Sequence, residues 1–123
     1  MKCLVNRFFF PQLLALFICL AGPVLTWGAV SWEISHLLQY IEESGCTFIR
    51  NGSEYSALEA RQHIERKYEY LKSRLSSAED FIDHAATKSS MTGRQYTVVC
   101  SDEEMLTGAW LKKELEQFRV KQD

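Results

Sequence analysis

Two short runs rich in strand-forming residues constrain this chain more than any other part of it. Cys46-Thr47-Phe48-Ile49-Arg50-Asn51-Gly52 opens on a cysteine and closes on a turn. Gly93-Arg94-Gln95-Tyr96-Thr97-Val98-Val99-Cys100 carries its cysteine at the other end. Thr, Ile, Val, Phe and Tyr fit a pleated, half-buried surface, and Asn-Gly is a strong turn signal. Pairing the runs antiparallel, with Cys46 opposite Cys100, sets Phe48 against Val98 and Arg50 against Tyr96. Opposed residues in such a pair have Cα atoms about 4.5–5.5 Å apart, and a disulfide tolerates about 4.4–6.8 Å. The expected bond closes a loop of about 54 residues, worth about 3–4 kcal/mol in the chain-entropy picture. A two-stranded ribbon alone is marginal in water, so it must lean on helices.

The N-terminus supports the oxidising environment that such a bond needs. Lys2 and Arg7 precede an unbroken apolar run from Leu13 to Ala21, which Gly22-Pro23 ends. A membrane span needs about 20 apolar residues, so the stretch reads as a cleavable signal peptide over residues 1–31. Small residues at Thr26-Trp27-Gly28 and Ala29-Val30-Ser31 place cleavage near 28–31. Ile18 before Cys19 is too large for a lipidation site. Residues 32–123 then form one small domain, expected to be periplasmic or secreted, with no membrane span after cleavage. Cys3 and Cys19 leave with the leader, so Cys46 and Cys100 remain as a pair.

The whole chain has 14 Lys+Arg and 16 Asp+Glu; without Lys2 and Arg7, 12 basic residues face 16 acidic ones. That balance lacks the basic stripe a nucleic-acid partner requires. His36, His63 and His84 are single and scattered, so no metal site is expected. Tyr68-x-x-x-Lys72 resembles the pair of short-chain dehydrogenases, but no glycine-rich dinucleotide fingerprint accompanies it. No cofactor is expected.

Helical periodicity accounts for the rest of the domain. Ile34, Leu37, Leu38 and Ile41 make one buried face of a helix beginning near Ser31 or Trp32 and closed by Gly45. Ser56 and Glu59 form a capping box for a long helix from about Ala57 to Leu75. Ala57, Ala60, Ile64, Tyr68, Leu71 and Leu75 form its apolar stripe, with Lys67 beside the stripe and His63 just beyond it. A short helix is capped by Ser76 or Ser77 and buries Ala78, Phe81, Ile82, Ala85 and Ala86. Ser101-Asp102-Glu103-Glu104 reads as a polar connector. A last helix, capped by Thr107 or started earlier from Ser101, has Leu111, Leu115 and Phe118, with Trp110 beside them, as its apolar face. The expectation is an α+β fold with about four helices packed against a short two-stranded antiparallel ribbon and one disulfide.

The end of the ribbon away from the cysteines gathers Arg50, Asn51, Gly52, the start of the long helix at Ser53 to Ser56, and Thr92-Gly93-Arg94. Arginines bind carboxylate or phosphate bidentately, and a helix N-terminus favours anions. The candidate binding residues are therefore Arg50, Asn51, Gly52, His63, Ser90, Thr92, Gly93, Arg94 and Tyr96. Turn chemistry alone would also explain the asparagine and the glycines.

These segments resemble an uncharacterised family of small exported bacterial proteins, domain of unknown function 5329. The resemblance rests on Phe48-Ile49-Arg50-Asn51-Gly52, Glu59-Ala60 with His63, Ala78-Glu79-Asp80-Phe81-Ile82, and Ser89-Ser90-Met91-Thr92-Gly93-Arg94-Gln95-Tyr96. It implies a periplasmic or secreted bacterial protein and no particular activity.

The function expected is a non-enzymatic binding or envelope-associated module. Its partner is an envelope protein or a small anionic ligand, recognised through the Arg50–Gly52 turn and the Ser89–Tyr96 loop. One alternative is a small hydrolase using His63, oriented by Glu59, or a loop serine beside Lys88. Another is a loop binder, because Thr92-Gly93-x-x-Tyr96 is similar to the Ser-Gly-x-x-Tyr loop of periplasmic lysozyme inhibitors.

Overall fold

A computed structural model describes residues 27–123. Most of the signal-peptide expectation falls outside those residues. Helix α1 spans Trp27–Glu43, starting before the Ser31 or Trp32 expected from the periodicity, so the expected cleavage region lies within its first turns. Ile34, Leu37, Leu38 and Ile41 are all buried, as their spacing predicts. Gly45, at φ +67°, turns the chain out of the helix.

The sheet is larger than the sequence suggested. It has four antiparallel strands in the order β2-β1-β3-β4: β1 Thr47–Arg50, β2 Ser53–Tyr55, β3 Thr97–Cys100 and β4 Glu103–Leu106. The two-stranded ribbon must be corrected to its central pair. Its register is the expected one, with Phe48 against Val98. Cys46 and Cys100 are bonded, with Cα atoms 4.7 Å apart.

Both added strands are edges, and both follow two-residue turns. Arg50 pairs with Ser53 across Asn51-Gly52, and Cys100 pairs with Glu103 across Ser101-Asp102. All four turn residues have positive φ, the conformation that matches hairpin turns to strand twist. Ser53-Glu54 and Glu103-Glu104 are exposed. Edge strands tolerate and favour such polarity, which is why hydrophobic alternation did not reveal them.

Helix α2 spans Ala57–Leu71 and runs into a 3-10 turn at Lys72–Arg74. Ser56 Oγ accepts from Glu59 N at 3.2 Å, and Glu59 Oε1 accepts from Ser56 N at 3.4 Å, the reciprocal cap. Helix α3, Ala78–Phe81, is capped by Ser77 and continues as a π-helical segment, Ile82–Ala86. Ile82, Ala85 and Ala86 are all buried. Helix α4, Thr107–Gln122, follows β4 directly and buries Trp110, Leu111, Leu115 and Phe118.

The core lies between the helices and one face of the sheet. Phe48, Val98 and Met105 occupy one row across β1, β3 and β4. Phe48 and Val98 are buried, and Met105 packs against the core. Side chains alternate along a strand, so two residues further on the same face continues as Arg50, Tyr96 and Thr107. That second row marks where the core gives way to a polar site.

Candidate functional site

Arg50, Tyr96 and Thr107 lie at the end of the sheet, and α2 covers them with Ala60, His63, Ile64 and Lys67. A cleft of about 220 Å³ opens between these elements. Its apolar walls are Phe48, Ile49, Tyr55, Ala60, Ile64 and the Tyr96 ring. Its polar lining residues include Arg50, Gln62, His63, Arg66 and Thr107.

The polar groups form a connected set. Arg50 Nη1 lies 3.1 Å from His63 Nδ1 and 3.2 Å from Nε2. His63 Nε2 is 3.2 Å from Tyr96 Oη, and Lys67 Nζ reaches the same oxygen at 3.4 Å and Lys88 O at 2.9 Å. A guanidinium only donates, so the imidazole nitrogen facing it is unprotonated. One tautomer satisfies the contacts to Nδ1 and to Tyr96, and leaves the approach of Arg50 Nη1 to Nε2 without a hydrogen bond. Nδ1 accepts from Arg50, Nε2–H donates to Tyr96, and the phenol oxygen also accepts from Lys67. The Tyr96 hydroxyl proton is then left to donate elsewhere. Arg50 additionally stacks over Tyr55, with Cζ 4.6 Å from the ring centroid.

Electrostatics follow from this crowding. Burial, reinforced by the charges of Arg50, Lys67 and Arg66, pushes the His63 pKa down to about 4. Burial, and then Arg50, also lowers Lys67. Burial raises Tyr96, against an opposing pull from Arg50. Among the described residues, Arg50, Arg66 and Lys67 form no ion pair with a carboxylate; the recorded pairs all lie elsewhere. The carboxylate that lines the cleft, Glu59, is engaged by Ser56 Oγ at 3.0 Å. The site is a positive pocket rich in donors.

Thr107 adds a distinct feature. It is 0% exposed, it lines the cleft, and its hydroxyl has no hydrogen-bond partner among the described residues. Its backbone N–H is committed to Tyr96 O at 3.0 Å.

The sequence-predicted residues divide into two groups. Arg50, His63 and Tyr96 converge in the cleft. Asn51, Gly52, Ser90, Thr92, Gly93 and Arg94 do not line it. The turn and the loop do meet, but as a latch: Thr92 Oγ1 donates to Asn51 Oδ1 at 2.7 Å, and Asn51 Nδ2 donates to Ser89 Oγ at 3.4 Å. Ser89, 6% exposed, is the organising serine of the loop. Its Oγ accepts from the N–H groups of Met91 and Thr92, each at 3.3 Å. Gly93, at φ +74°, closes the loop by donating its N–H to Ser89 O at 2.9 Å. Tyr55, Gln62, Arg66 and Thr107 were not singled out from the sequence. Arg66 lies one turn beyond Gln62, beside His63 on the same helix, so helical spacing could have found it. Thr107 is placed only by the β3–β4 register.

A hydroxyl does lie within reach of His63, but it is a phenol with a raised pKa rather than a serine nucleophile. Glu59 is turned to the helix cap, so it does not orient His63 as a base. The loop similar to that of lysozyme inhibitors holds Tyr96 inward, 5% exposed, and displays Met91 at 95%. Among the described residues, no group of three or more His, Cys, Asp and Glu could hold a metal ion. None of their helices is long and apolar enough to cross a membrane.

Residues 29–119 match the family described as "Family of unknown function (DUF5329)". The chain belongs to that family. DUF5329 residues here thus include the whole cleft, from Phe48 to Thr107. A relative is the uncharacterized protein YfeK of Salmonella typhimurium (strain LT2), 39% identical over 55 residues. That alignment covers 45% of this chain and 46% of the relative, so it spans less than half of the relative's length. No solved structure matches this DUF5329 chain.

Proposed function

We propose that this protein is an exported binding module that holds a small anionic group in the cleft between α2 and the sheet. The observation that carries the reading is the convergence of Arg50, Arg66 and Lys67 on a neutral His63. Among the described residues no carboxylate forms an ion pair with them, the cleft's Glu59 being held in the helix cap, and the walls are partly apolar. Arg50 and Lys67 are half-buried and Arg66 is exposed at the rim; half-buried cations of one sign are costly unless something neutralises them, and a bound anion supplies that neutralisation. Arg50 and Arg66 give the charge-assisted hydrogen bonds. Tyr96 and His63 act as positioning groups, because their mutual contact holds Arg50 in place.

Export is supported by the charged, then apolar N-terminal sequence and by the Cys46–Cys100 bond, which suits an oxidising compartment. Mass spectrometry of protein recovered from the periplasm is expected to find a chain beginning near Ala29 or Trp32 with no free thiol. A full-length chain confined to the cytoplasm would remove this part of the reading.

Benzoate is a suitable probe of the cleft, since it joins a carboxylate to an apolar ring of the right scale. Titration followed by NMR should saturate and move the His63 ring signals. Arg50→Ala should weaken binding roughly ten-fold or more, the scale of a hydrogen bond to a charged group. Equal binding by the wild type and the Arg50 variant, or none by the wild type, would dismiss the cleft as an anion site.

A further inference from the structure

We infer that the ligand of this cleft is an apolar α-amino acid, its carboxylate held by Arg50 and Arg66 and its ammonium by Glu59. The inference rests on the anion-binding reading above and adds the second point of recognition.

Glu59 brings the opposite charge to the same opening. It lines the cleft with Arg50, His63 and Arg66, and it is exposed, so a ligand can reach it. Glu59, His63 and Arg66 follow one another at i, i+4 and i+7, along one face of α2. At 1.5 Å per residue, the acid sits about 6 Å along the axis before the imidazole and Arg66 about 4.5 Å after it. Arg50 arrives from the sheet between Tyr55 and His63, with Cζ 4.6 Å from the Tyr55 centroid and Nη1 3.1 Å from His63 Nδ1. A carboxylate between Arg50 and Arg66 therefore has Glu59 as its neighbour towards the start of the helix. Among the described residues Glu59 forms no ion pair.

The helix cap leaves half of Glu59 available. Its Oε1 accepts from Ser56 N at 3.4 Å and Ser56 Oγ at 3.0 Å, while Oε2 has no hydrogen-bond partner among the described residues. A carboxylate offers lone pairs on both oxygens, so one can hold the cap and the other an ammonium. In an α-amino acid the ammonium and the carboxylate share one carbon. Such a ligand matches an opening where cations and an acid stand near one another without pairing. The walls set the remaining substituent: Phe48, Ile49, Tyr55, Ala60 and Ile64 suit an apolar side chain. At about 220 Å³ the cleft is smaller than the roughly 300–1,000 Å³ of sites for drug-sized ligands, which fits a single amino acid.

Isothermal titration on the intact oxidised protein compares L-phenylalanine with 3-phenylpropionate, which has the same ring and acid and lacks the amine. At low salt the wild type should bind phenylalanine about five-fold more tightly, the scale of one exposed ion pair. Added salt should shrink that preference. Glu59→Gln removes the charge and keeps the capping box, which Gln also forms; it should bring the two affinities together. N-acetylphenylalanine, which has the carboxylate and no ammonium, should bind no better than 3-phenylpropionate. Equal wild-type affinities for phenylalanine and 3-phenylpropionate, or a preference that survives Glu59→Gln, would overturn the role of Glu59 while leaving the anion site standing. Tighter binding of N-acetylphenylalanine than of phenylalanine would assign the cleft to the carboxyl end of a peptide and overturn the amino-acid reading. Failure of every acid to bind, benzoate included, would instead remove the anion site itself.

Discussion

His63 shows how little of a residue's chemistry is its own. One turn after Glu59 on α2, it looks like a base with its orienting carboxylate. Burial and three nearby cations make it a neutral imidazole with a pKa near 4. Its ordinary value is 6.5, so the unfolded chain binds this proton first as pH falls. Folding stability is therefore undiminished by His63 above about pH 6.5, declines between 6.5 and 4, and levels off below. Denaturant midpoints measured across that window should fall less steeply for His63→Gln than for the wild type. Arg50→Ala should raise the His63 pKa in an NMR titration, because it removes a neighbouring positive charge. Bound benzoate should raise it too, and so its affinity should increase as pH falls from 7 towards 5.

At the scale of elements, the hairpin turns carry the informative backbone strain. Asn51-Gly52 suits its hairpin, whereas Ser101 and Asp102 hold φ of 51° and 64° without glycine. L-residues pay about 1–2 kcal/mol in the left-handed region, less for Asp. Replacing Ser101-Asp102 with Asn-Gly should stabilise the protein by roughly 1 kcal/mol, seen as a rise in Tm of about 4–8 °C for a domain of this size. Gly108 is constrained differently. A Cβ there would lie 2.7 Å from Thr87 Oγ1, and that hydroxyl is already donating to Ile82 O at 2.8 Å. Gly108→Ala should destabilise by about 1–3 kcal/mol in chemical denaturation, with partial rescue by Thr87→Ala. The contact locks α4 onto the π segment, which fixes where Thr107 sits.

For the whole molecule, the disulfide and the aromatic packing hold the two halves of the chain together. Cys46 and Cys100 join β1 to β3 across a separation of 54 residues. Reduction should lower unfolding stability by about 3–4 kcal/mol, measured in guanidinium with and without a phosphine reductant. The same bond anchors the sheet end opposite the cleft, so reduction should shift the denaturation midpoint more than it shifts benzoate affinity at low denaturant. At the far side, α1 and α4 are tied by His36 stacked on Phe118, with centroids 3.8 Å apart, and by the His36–Glu114 contact at 2.9 Å. Tyr40, Trp110 and Phe48 continue that aromatic packing to the sheet.

The buried faces of the helices, the Ser56 and Ser77 caps, the cysteine pair and the central strand register were legible in the sequence. Each depends on local periodicity, on short-range capping, or on a single covalent partner. The Thr107 cap of the last helix was not borne out, since Leu106 precedes that helix without a side-chain cap. Ile34, Leu37, Leu38 and Ile41 announce one face by spacing alone, and Ser56 with Glu59 announces a helix start. The edge strands were not legible, because Ser53-Glu54 and Glu103-Glu104 carry the polarity of loops and become strands only by pairing with β1 and β3. Asn51-Gly52 did mark a turn, yet the strand after it has no hydrophobic alternation to announce it. The cleft was only partly legible. Arg50 and Tyr96 came from the strand register, while Arg66 and Lys67 reach them through the packing of α2. Thr107 meets them only because β4 pairs beside β3. A pocket is a coincidence of side chains from distant parts of the chain, and only the packed sheet and helices bring that coincidence about.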